Sequence, residues 1–325
     1  MITAIGNPVY DHIVTPKITT SERVLSGCST NAVLALAKLG EQTRIIGAIG
    51  PDYKATFEAD MQRRGIASIL TPSERTGGFA LHYYDEFGSR TLRLIDRAAD
   101  IPSPQHAWYA DSAAVLIGPI LGEVSFDAIR QIRKDFTGLF FCDPQGLLRG
   151  ADPEGNIFHE KPKGIEEVLA LFNVVKPNEL EAEILTGVNC RQNPHRAAEI
   201  LHSWGCKIVF ITLAELGAIV YDGREMVHVP PVALPKIQDI PAYPVNLMDA
   251  TGAGDTSMAG FTFEFLRTGD ITQAACFAAA TSSYKIEGSG PNFPIVEQHV
   301  RKRAETLMEK VRAGYRFVPQ PIKAA

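Results

Sequence analysis

The chain is predicted to be an α/β protein in which helices cover both faces of a mostly parallel central sheet, with a small β flap at one edge. Short apolar runs that suit buried strands alternate with stretches of helical periodicity, and this alternation predicts a three-layer αβα sandwich. Two early segments, residues 10–26 and 78–97, break the alternation with hairpin-like patterns. We expect them to form a short flap on a single domain of residues 1–325, with surface decoration as the alternative.

The individual elements follow from their apolar periodicity and their boundaries. Apolar runs predict buried strands at residues 2–6, 43–49, 113–117, 139–142, 174–176 and 208–212. Apolar residues at helical spacing predict helices at residues 31–39, 53–64, 124–135 and 194–203. Polar or proline-rich composition predicts loops at residues 152–163 and 230–244.

Composition and charge limit the classes of function. The chain has 325 residues, of which 45% are hydrophobic and 21% are charged, which is typical of a globular protein. A net charge of -5 argues against nucleic-acid binding, which requires a basic surface. No apolar run is long enough for a membrane span, and the N-terminus lacks the pattern of a signal peptide. Five scattered cysteines suit reduced thiols, so we expect a cytoplasmic protein with neither nucleic-acid nor membrane partners.

The segment DATGAGD at residues 249–255 is the strongest local feature, because apolar residues at helical spacing follow it. The N–H groups at the start of a helix have no intrahelical partner and carry a partial positive charge, so this loop suits a phosphate. Asp255 would then lie beside the anion, where it could take a proton from an attacking hydroxyl. The alternative is a simple helix cap at Thr251 or Asp255, with the glycines forming a turn.

DATGAGD followed by an apolar helix resembles the signature of the ribokinase-like (PfkB) carbohydrate kinases. Other segments agree with this family in the same order along the chain: GNPVYDHIV, SGCSTNAVLALAKLG, VVKPNELEAEILTG and VFITLAELGAIV. The resemblance covers residues 2–308. It implies a ribokinase-like fold, ATP and Mg²⁺ as cofactors, and a sugar or polyol as the small-molecule substrate.

The resemblance also implies roles for the residues around the transferred phosphate. Asp255 is similar to the catalytic base, and three neighbours would supply the N–H groups of an anion hole: Gly252, Ala253 and Gly254. The matching donor-binding residues are Asn178 and Glu181 for Mg²⁺ and the phosphates, with Glu181 acting through water, and Thr212, Ala214 and Gly217 along the nucleotide. A carboxylate and an amide suit Mg²⁺, which prefers oxygen ligands and keeps several waters.

On the acceptor side, the matching residues are Asp11, Gly27 and Asn31. RTLRLIDRAADIP and FFCDPQGLLR resemble a short-flap branch that includes inositol kinases, which adds Arg97, Gln145 and, as a further candidate, Arg149. Gln145 offers a donor and an acceptor, which suits a neutral polyol. Arg97 could instead bind a phosphate or carboxylate of the substrate, or form a structural ion pair. Myo-inositol or another polyol is therefore the first expectation, followed by a free sugar, a sugar phosphate and a nucleoside.

Two features depart from the family pattern or extend it. Ser26 replaces the first glycine of the G-G-x-x-x-N motif, and the first flap segment is short, so both a monomer and a homodimer stay open. Some family members also use a monovalent cation beside the anion hole. Asp249, Thr251 and residues 287–291 are the candidates for such a site here.

Competing classes lack their own motifs. A dinucleotide-dependent dehydrogenase requires G-x-G-x-x-G after the first strand, and a P-loop kinase requires G-x-x-x-x-G-K-[ST]; the sequence has neither. A non-catalytic sugar-binding sensor on the same fold would be expected to lose Asp255 or Gly254, and both are present. A nucleoside kinase of the same family would share every residue on the phosphate side.

Overall fold

The computed structural model describes residues 1–84, 90–231 and 249–319. Its strands are β1 (Ile2–Ile5), β2 (Val9–Val14), β3 (Val24–Ser26), β4 (Thr43–Ile49), β5 (Ala67–Pro72), β6 (Gly78–Tyr83), β7 (Arg90–Asp96), β8 (Ala114–Ile117), β9 (Leu139–Cys142), β10 (Arg149–Ala151), β11 (Ile157–His159), β12 (Val174–Val175), β13 (Ile208–Thr212), β14 (Ala218–Tyr221) and β15 (Met226–Val229). Its helices are α1 (Cys28–Lys38), α2 (Lys54–Arg63), α3 (Phe126–Asp135), α4 (Ile165–Leu169), α5 (Glu179–Thr186), α6 (Pro194–Ser203), α7 (Ala253–Thr268), α8 (Ile271–Lys285) and α9 (Glu297–Arg312).

The central sheet has the strand order β15-β14-β13-β12-β9-β8-β1-β4-β5. Strands β13 to β5 of this order pair in parallel, and β14 and β15 add an antiparallel end. Successive residues point to opposite faces: Leu116 packs with α1, α2, α7, α8 and α9, whereas Val115 and Ile117 pack with α3 to α6. The predicted α/β sandwich with a mostly parallel sheet is therefore confirmed. None of the helices in the described residues is long and apolar enough to cross a bilayer.

A second, four-stranded sheet has the order β3-β2-β6-β7. Strand β2 pairs antiparallel with β3 and parallel with β6, and β6 pairs antiparallel with β7. The two early segments that were expected to form a flap therefore meet in one small sheet, called the flap below. Residues 85–89 of the second segment lie outside the described residues, as does most of the predicted loop at residues 230–244.

The predicted loop at residues 152–163 is instead partly a hairpin, since β10 and β11 pair antiparallel. The Asp152 carboxylate accepts a hydrogen bond of 2.8 Å from the Asn156 N–H, and Gly155 adopts a φ of 84°, so the turn closes through one side chain and one glycine. Asp11 lies within β2 of the flap and therefore outside the central sheet.

Helices α7 and α8 pack closely against each other at Gly260. A Cβ atom on Gly260 of α7 would stand 2.6 Å from the Thr281 Oγ1 atom and 3.0 Å from the Ala278 Cα atom of α8. Ala278 and Thr281, the α8 residues nearest to this position, are small and fully buried. The absence of a side chain at Gly260 is therefore a packing requirement of this helix pair.

We expect Gly260→Ala to destabilise the fold, because overpacking costs about 1–3 kcal/mol while the gain in helix propensity is only about 1 kcal/mol. Urea unfolding of Gly260→Ala, Thr281→Ala and the double variant measures this. If the clash is the cause, the double variant loses about 1 kcal/mol less than the sum of the two single losses. Strictly additive losses would contradict the close contact.

Candidate active site

The site is centred on the first turn of α7. Gly252 precedes the helix with a φ of 79°, and a Cβ atom there would stand 2.6 Å from the Asn31 Nδ2 atom, so both the backbone conformation and the space favour glycine. The Ala253 N–H donates to the Ala250 carbonyl over 3.2 Å. The first helical bond begins at the Thr256 N–H, which leaves the N–H groups of Gly254 and Asp255 without a backbone acceptor among the described residues.

Asp255 is buried and held in place by α1. The Asn31 amide donates a hydrogen bond of 2.8 Å to the Asp255 Oδ2 atom, and the Cys28 thiol donates a second. Burial and, after it, the negative charge of Asp143 raise the pKa of the Asp255 carboxyl above its ordinary value. A carboxylate with a raised pKa and a fixed orientation is a suitable general base.

A buried ion pair flanks this carboxylate. The Lys176 ammonium lies 2.9 Å from the Asp143 Oδ2 atom, and both side chains are at most 5% exposed. Burial disfavours the charged form of Lys176, but Asp143 and Glu181 outweigh that effect and raise its pKa. A Cβ atom on Gly254 would stand 3.3 Å from the Lys176 Nζ atom, so a permanent positive charge lies beside the anion hole. Neither Asp143 nor Lys176 was predicted as a site residue from the sequence, although each directly follows a buried strand.

Asn178 and Glu181 lie next to this pair at the start of α5. The two residues form a capping box, in which the Glu181 carboxylate accepts from the Asn178 N–H over 2.8 Å and from its side-chain amide over 2.7 Å. Burial, followed by the charge of Asp143, raises the pKa of Glu181 to about 7. The buried carboxylates of Glu181 and Asp143 repel each other, and the amide oxygen of Asn178 lies beside Glu181. This set of oxygen atoms suits Mg²⁺, since a divalent cation would relieve the repulsion.

Cys28, Asp143 and Asp255 also approach one another, with ligand atoms that all lie within 4.8 Å. A thiol is a poor ligand for Mg²⁺, which prefers oxygen. Burial, and then the charges of Asp143 and Asp255, raise the pKa of Cys28 well above its ordinary value. Cys28 therefore stays protonated and serves Asp255 as a hydrogen-bond donor.

The predicted nucleotide residues line a neighbouring edge of the sheet. The Thr212 N–H donates to the Pro177 carbonyl over 3.1 Å, which places the end of β13 against the Asn178 segment. A turn at residues 214–216 follows, with Ala214 exposed and Gly217 half-buried. Thr212, Ala214 and Gly217 thus form a partly open surface beside the phosphate side of the site.

Asp11 lies on the acceptor side, on β2 of the flap. Its carboxylate accepts from the Phe79 N–H over 2.9 Å and from Ser26, and burial raises its pKa to about 6 despite these bonds. Gly27 connects the flap to α1. Arg149 interacts electrostatically with both Asp11 and Asp255, so it lies between the two halves of the site.

Two other predicted acceptor residues behave differently from each other. The Gln145 Oε1 atom accepts a hydrogen bond of 2.8 Å from Arg149, which keeps this amide at the site. Arg97 instead pairs with Asp100 over 3.1 Å and is 56% exposed. Arg97 thus has the ion pair that was considered as its structural alternative, and the described contacts do not connect it with Asp255.

The flap touches the anion loop directly. The Tyr83 hydroxyl of β6 and the Thr251 hydroxyl form a hydrogen bond of 2.8 Å, and both side chains are buried. The Arg90 guanidinium of β7 donates to the same Tyr83 hydroxyl over 3.2 Å. The flap therefore covers the loop that precedes α7.

Comparisons with known proteins agree with this geometry. Residues 2–298 match the family model described as pfkB family carbohydrate kinase. The chain is 26% identical to a cytidine kinase of Thermococcus kodakarensis over 82% of this chain and 88% of that one. It is 25% identical to a ribokinase of Haemophilus influenzae over 94% of this chain and 97% of that one.

The fold of the chain is also similar to that of a solved kinase structure. A pyrophosphate-dependent kinase in the ribokinase family, complexed with a pyrophosphate analog and myo-inositol, superimposes with a TM-score of 0.76 and 26% identity over 93% of this chain and all of that one. The matches to ribokinases and nucleoside kinases confirm the prediction of a kinase. With the family model spanning almost the whole chain, this protein belongs to the pfkB family of carbohydrate kinases.

Proposed function

We propose that this kinase transfers the γ-phosphate of ATP to a hydroxyl of a polyol or free sugar, with a myo-inositol-like polyol as the first candidate. The observation that carries the proposal is the buried Asp255 carboxylate, which Asn31 fixes beside the free N–H groups of a glycine loop. This is the arrangement that phosphoryl transfer requires, since the reaction depends mainly on positioning and on stabilisation of charge.

In this mechanism the acceptor hydroxyl lies against Asp255, which takes its proton as the hydroxyl attacks. The N–H groups of Gly254 and Asp255 stabilise the charge that develops on the phosphoryl oxygens, and the adjacent Lys176 ammonium adds a positive charge. Glu181 and Asn178 would hold Mg²⁺, which neutralises the donor phosphates when bound.

Asp11 and Gln145 support a polyhydroxylated acceptor. A buried carboxylate accepts hydrogen bonds from hydroxyl groups, and a glutamine amide can both donate and accept. The similarity to a kinase that was solved with myo-inositol favours a cyclic polyol. The cytidine kinase among the relatives keeps a nucleoside acceptor as an alternative, and a sugar phosphate is a further one. A sugar-binding sensor is the least supported alternative, because the anion loop and Asp255 are both intact.

Pyrophosphate is an alternative to ATP as the phosphoryl donor. Pyrophosphate-dependent kinases are among the most similar solved structures, with TM-scores of 0.75 to 0.76. Pyrophosphate would use the same anion loop and Lys176 without the nucleotide edge at Thr212. We retain ATP as the proposed donor because ribokinase and nucleoside kinase relatives span most of the chain.

We further propose a cytoplasmic location. All five cysteines are free and buried, which suits a reducing compartment.

The decisive experiment measures product formation with Mg-ATP, and separately with Mg-pyrophosphate, against polyols, sugars, sugar phosphates, sugar acids and nucleosides. We expect one acceptor class to support turnover, and Asp255→Asn to lower kcat about 10²–10⁴-fold because the base is lost while donor binding survives. Asp270→Asn is the matched control, since Asp270 starts α8 and asparagine caps helices equally well. Turnover of Asp255→Asn within tenfold of the wild type would remove Asp255 from the role of base.

Asp11→Ala tests the acceptor side separately. We expect KM for the acceptor to rise at least tenfold, and the dissociation constant of ATP to change less than about threefold, because Asp11 lies on the flap and away from the donor edge. Isothermal titration with ATP and initial rates at varied acceptor concentration give the two values. Equal losses for both ligands would show that Asp11 is structural.

Asp11 should also make the stability of the fold depend on pH. Burial raises its pKa to about 6, above the value in the unfolded chain, so the folded state favours the neutral form and the penalty for the charge grows as pH rises through about 6. Asp11→Asn, which mimics the neutral carboxyl, should therefore raise the free energy of unfolding by about 1–3 kcal/mol at pH 7.5. The gain should vanish at pH 4, where the wild-type carboxyl is protonated. Urea unfolding at both pH values checks this, and an equal gain at both would contradict it.

A further inference from the structure

A buried ammonium lies beneath the anion loop. Lys285 is the last residue of α8 and is 1% exposed. Its Cε atom stands 3.3 Å from the position that a Cβ atom on Gly252 would occupy, and its Nζ atom lies 5.4 Å from the centre of the Phe293 ring. Within the described residues, this Nζ atom has no hydrogen-bond partner. A lysine of this kind is unusual, because burying an ammonium group is costly unless nearby negative charge offsets it.

The nearby negative charge comes from two aspartates. Burial lowers the pKa of the Lys285 ammonium, whereas the charges of Asp249 and Asp255 act against that effect and favour the charged form. The Asp249 Oδ1 atom accepts from the Thr251 N–H over 2.9 Å, whereas its Oδ2 atom is buried and has no hydrogen-bond partner among the described residues. The unbonded oxygen and the unbonded ammonium thus belong to the same buried region under the loop.

The Lys285 ammonium offsets negative charge that lies around the anion loop. Lys176 already neutralises Asp143 through a direct ion pair of 2.9 Å. Asp249 and Asp255 add two further negative charges close to the loop, and Lys176 offsets that of Asp255 only in part. Lys285 acts on both aspartates, so its charge lowers the negative potential of a loop that has to hold an anion.

This arrangement does not fit the monovalent cation that the family resemblance implied at Asp249, Thr251 and residues 287–291. A metal cation bound to Asp249 would add a second positive charge next to the Lys285 ammonium in a buried region, where repulsion between like charges is strong. The residue that would attract such an ion is already compensated from within the chain.

We propose that Lys285 is a fixed internal cation that takes the place of a monovalent metal ion beneath the anion loop and makes phosphate binding independent of potassium. Lys285 acts through the loop and does not contact the phosphate, so it is a positioning residue. The inference rests on the proposed function in that the loop binds phosphate, but it requires neither a particular acceptor nor turnover.

The test measures binding of inorganic pyrophosphate with Mg²⁺ by isothermal titration, at constant ionic strength, in sodium, potassium, ammonium or tetramethylammonium chloride. We expect the wild-type affinity to vary less than about twofold among these salts. Lys285→Met keeps the length of the side chain and removes its charge. We expect it to weaken binding about tenfold in tetramethylammonium chloride, as the loss of one buried compensating charge predicts, and to recover severalfold in ammonium or potassium chloride.

Lys38→Met is the matched control. The Lys38 ammonium lies 5.1 Å from the same Phe293 ring, but the charge that acts on it is that of Arg64 and not that of a carboxylate. The Lys38→Met variant should therefore bind pyrophosphate as tightly as the wild type does in every salt. Purely structural damage by Lys285→Met would weaken binding equally in all salts and would overturn the proposal, as would unchanged binding.

The salt dependence of pyrophosphate binding by the wild-type protein tests the proposal even if Lys285→Met does not fold. Wild-type affinity that rises more than about tenfold in potassium over tetramethylammonium would show that a metal cation is required, which overturns the proposal. Wild-type protein that binds no pyrophosphate in any salt would also overturn it. Failure of the acceptor panel, with salt-independent pyrophosphate binding intact, would count against the proposed acceptors only.

Discussion

The balance of buried charge around the first turn of α7 is the constraint on which the site depends. Asp143, Asp249 and Asp255 are all at most 9% exposed, and such carboxylates are stable in a folded protein only beside compensating groups. Lys176 and Lys285 supply the compensation from the two sides of the loop. In the proposed mechanism, the remaining negative charge on Asp255 is what a base needs, and the cations would allow a phosphate to approach it. In that mechanism, the first turn of α7 can bind a phosphate and still keep Asp255 as a base beside it.

The architecture provides this balance by bringing distant segments to one edge of the sheet. Asp143 follows β9 and Lys176 follows β12, which are adjacent parallel strands, so their side chains meet where both strands end. Helix α1 delivers Asn31 to Asp255 from the other direction. Glycines at positions 252 and 260 allow α7 to approach both α1 and α8. Close packing of α7 against α1 and α8 therefore determines where Asp255 and its neighbouring loop lie.

Much of this fold could be predicted from periodicity, because buried parallel strands and amphipathic helices leave strong local patterns. Strands Thr43–Ile49, Leu139–Cys142 and Ile208–Thr212 have the predicted bounds. The hairpin of β10 and β11 was missed, since strands of three residues leave too little pattern and depend on a single turn. Asp255 could be proposed from its local motif. Asp143, Lys176 and Lys285 could not, because their roles arise only from neighbours that are far away in the sequence.

The hydrogen bond between Tyr83 and Thr251 has a consequence for the use of the donor. It joins the flap to the same loop that forms the start of α7, so covering the acceptor side and ordering the anion site become a single event. When the flap is lifted, the loop loses this support at the moment when water can reach the site. Under the proposed function, this coupling would limit hydrolysis of the donor, because the state that admits water would also be the state in which the phosphate is least well held.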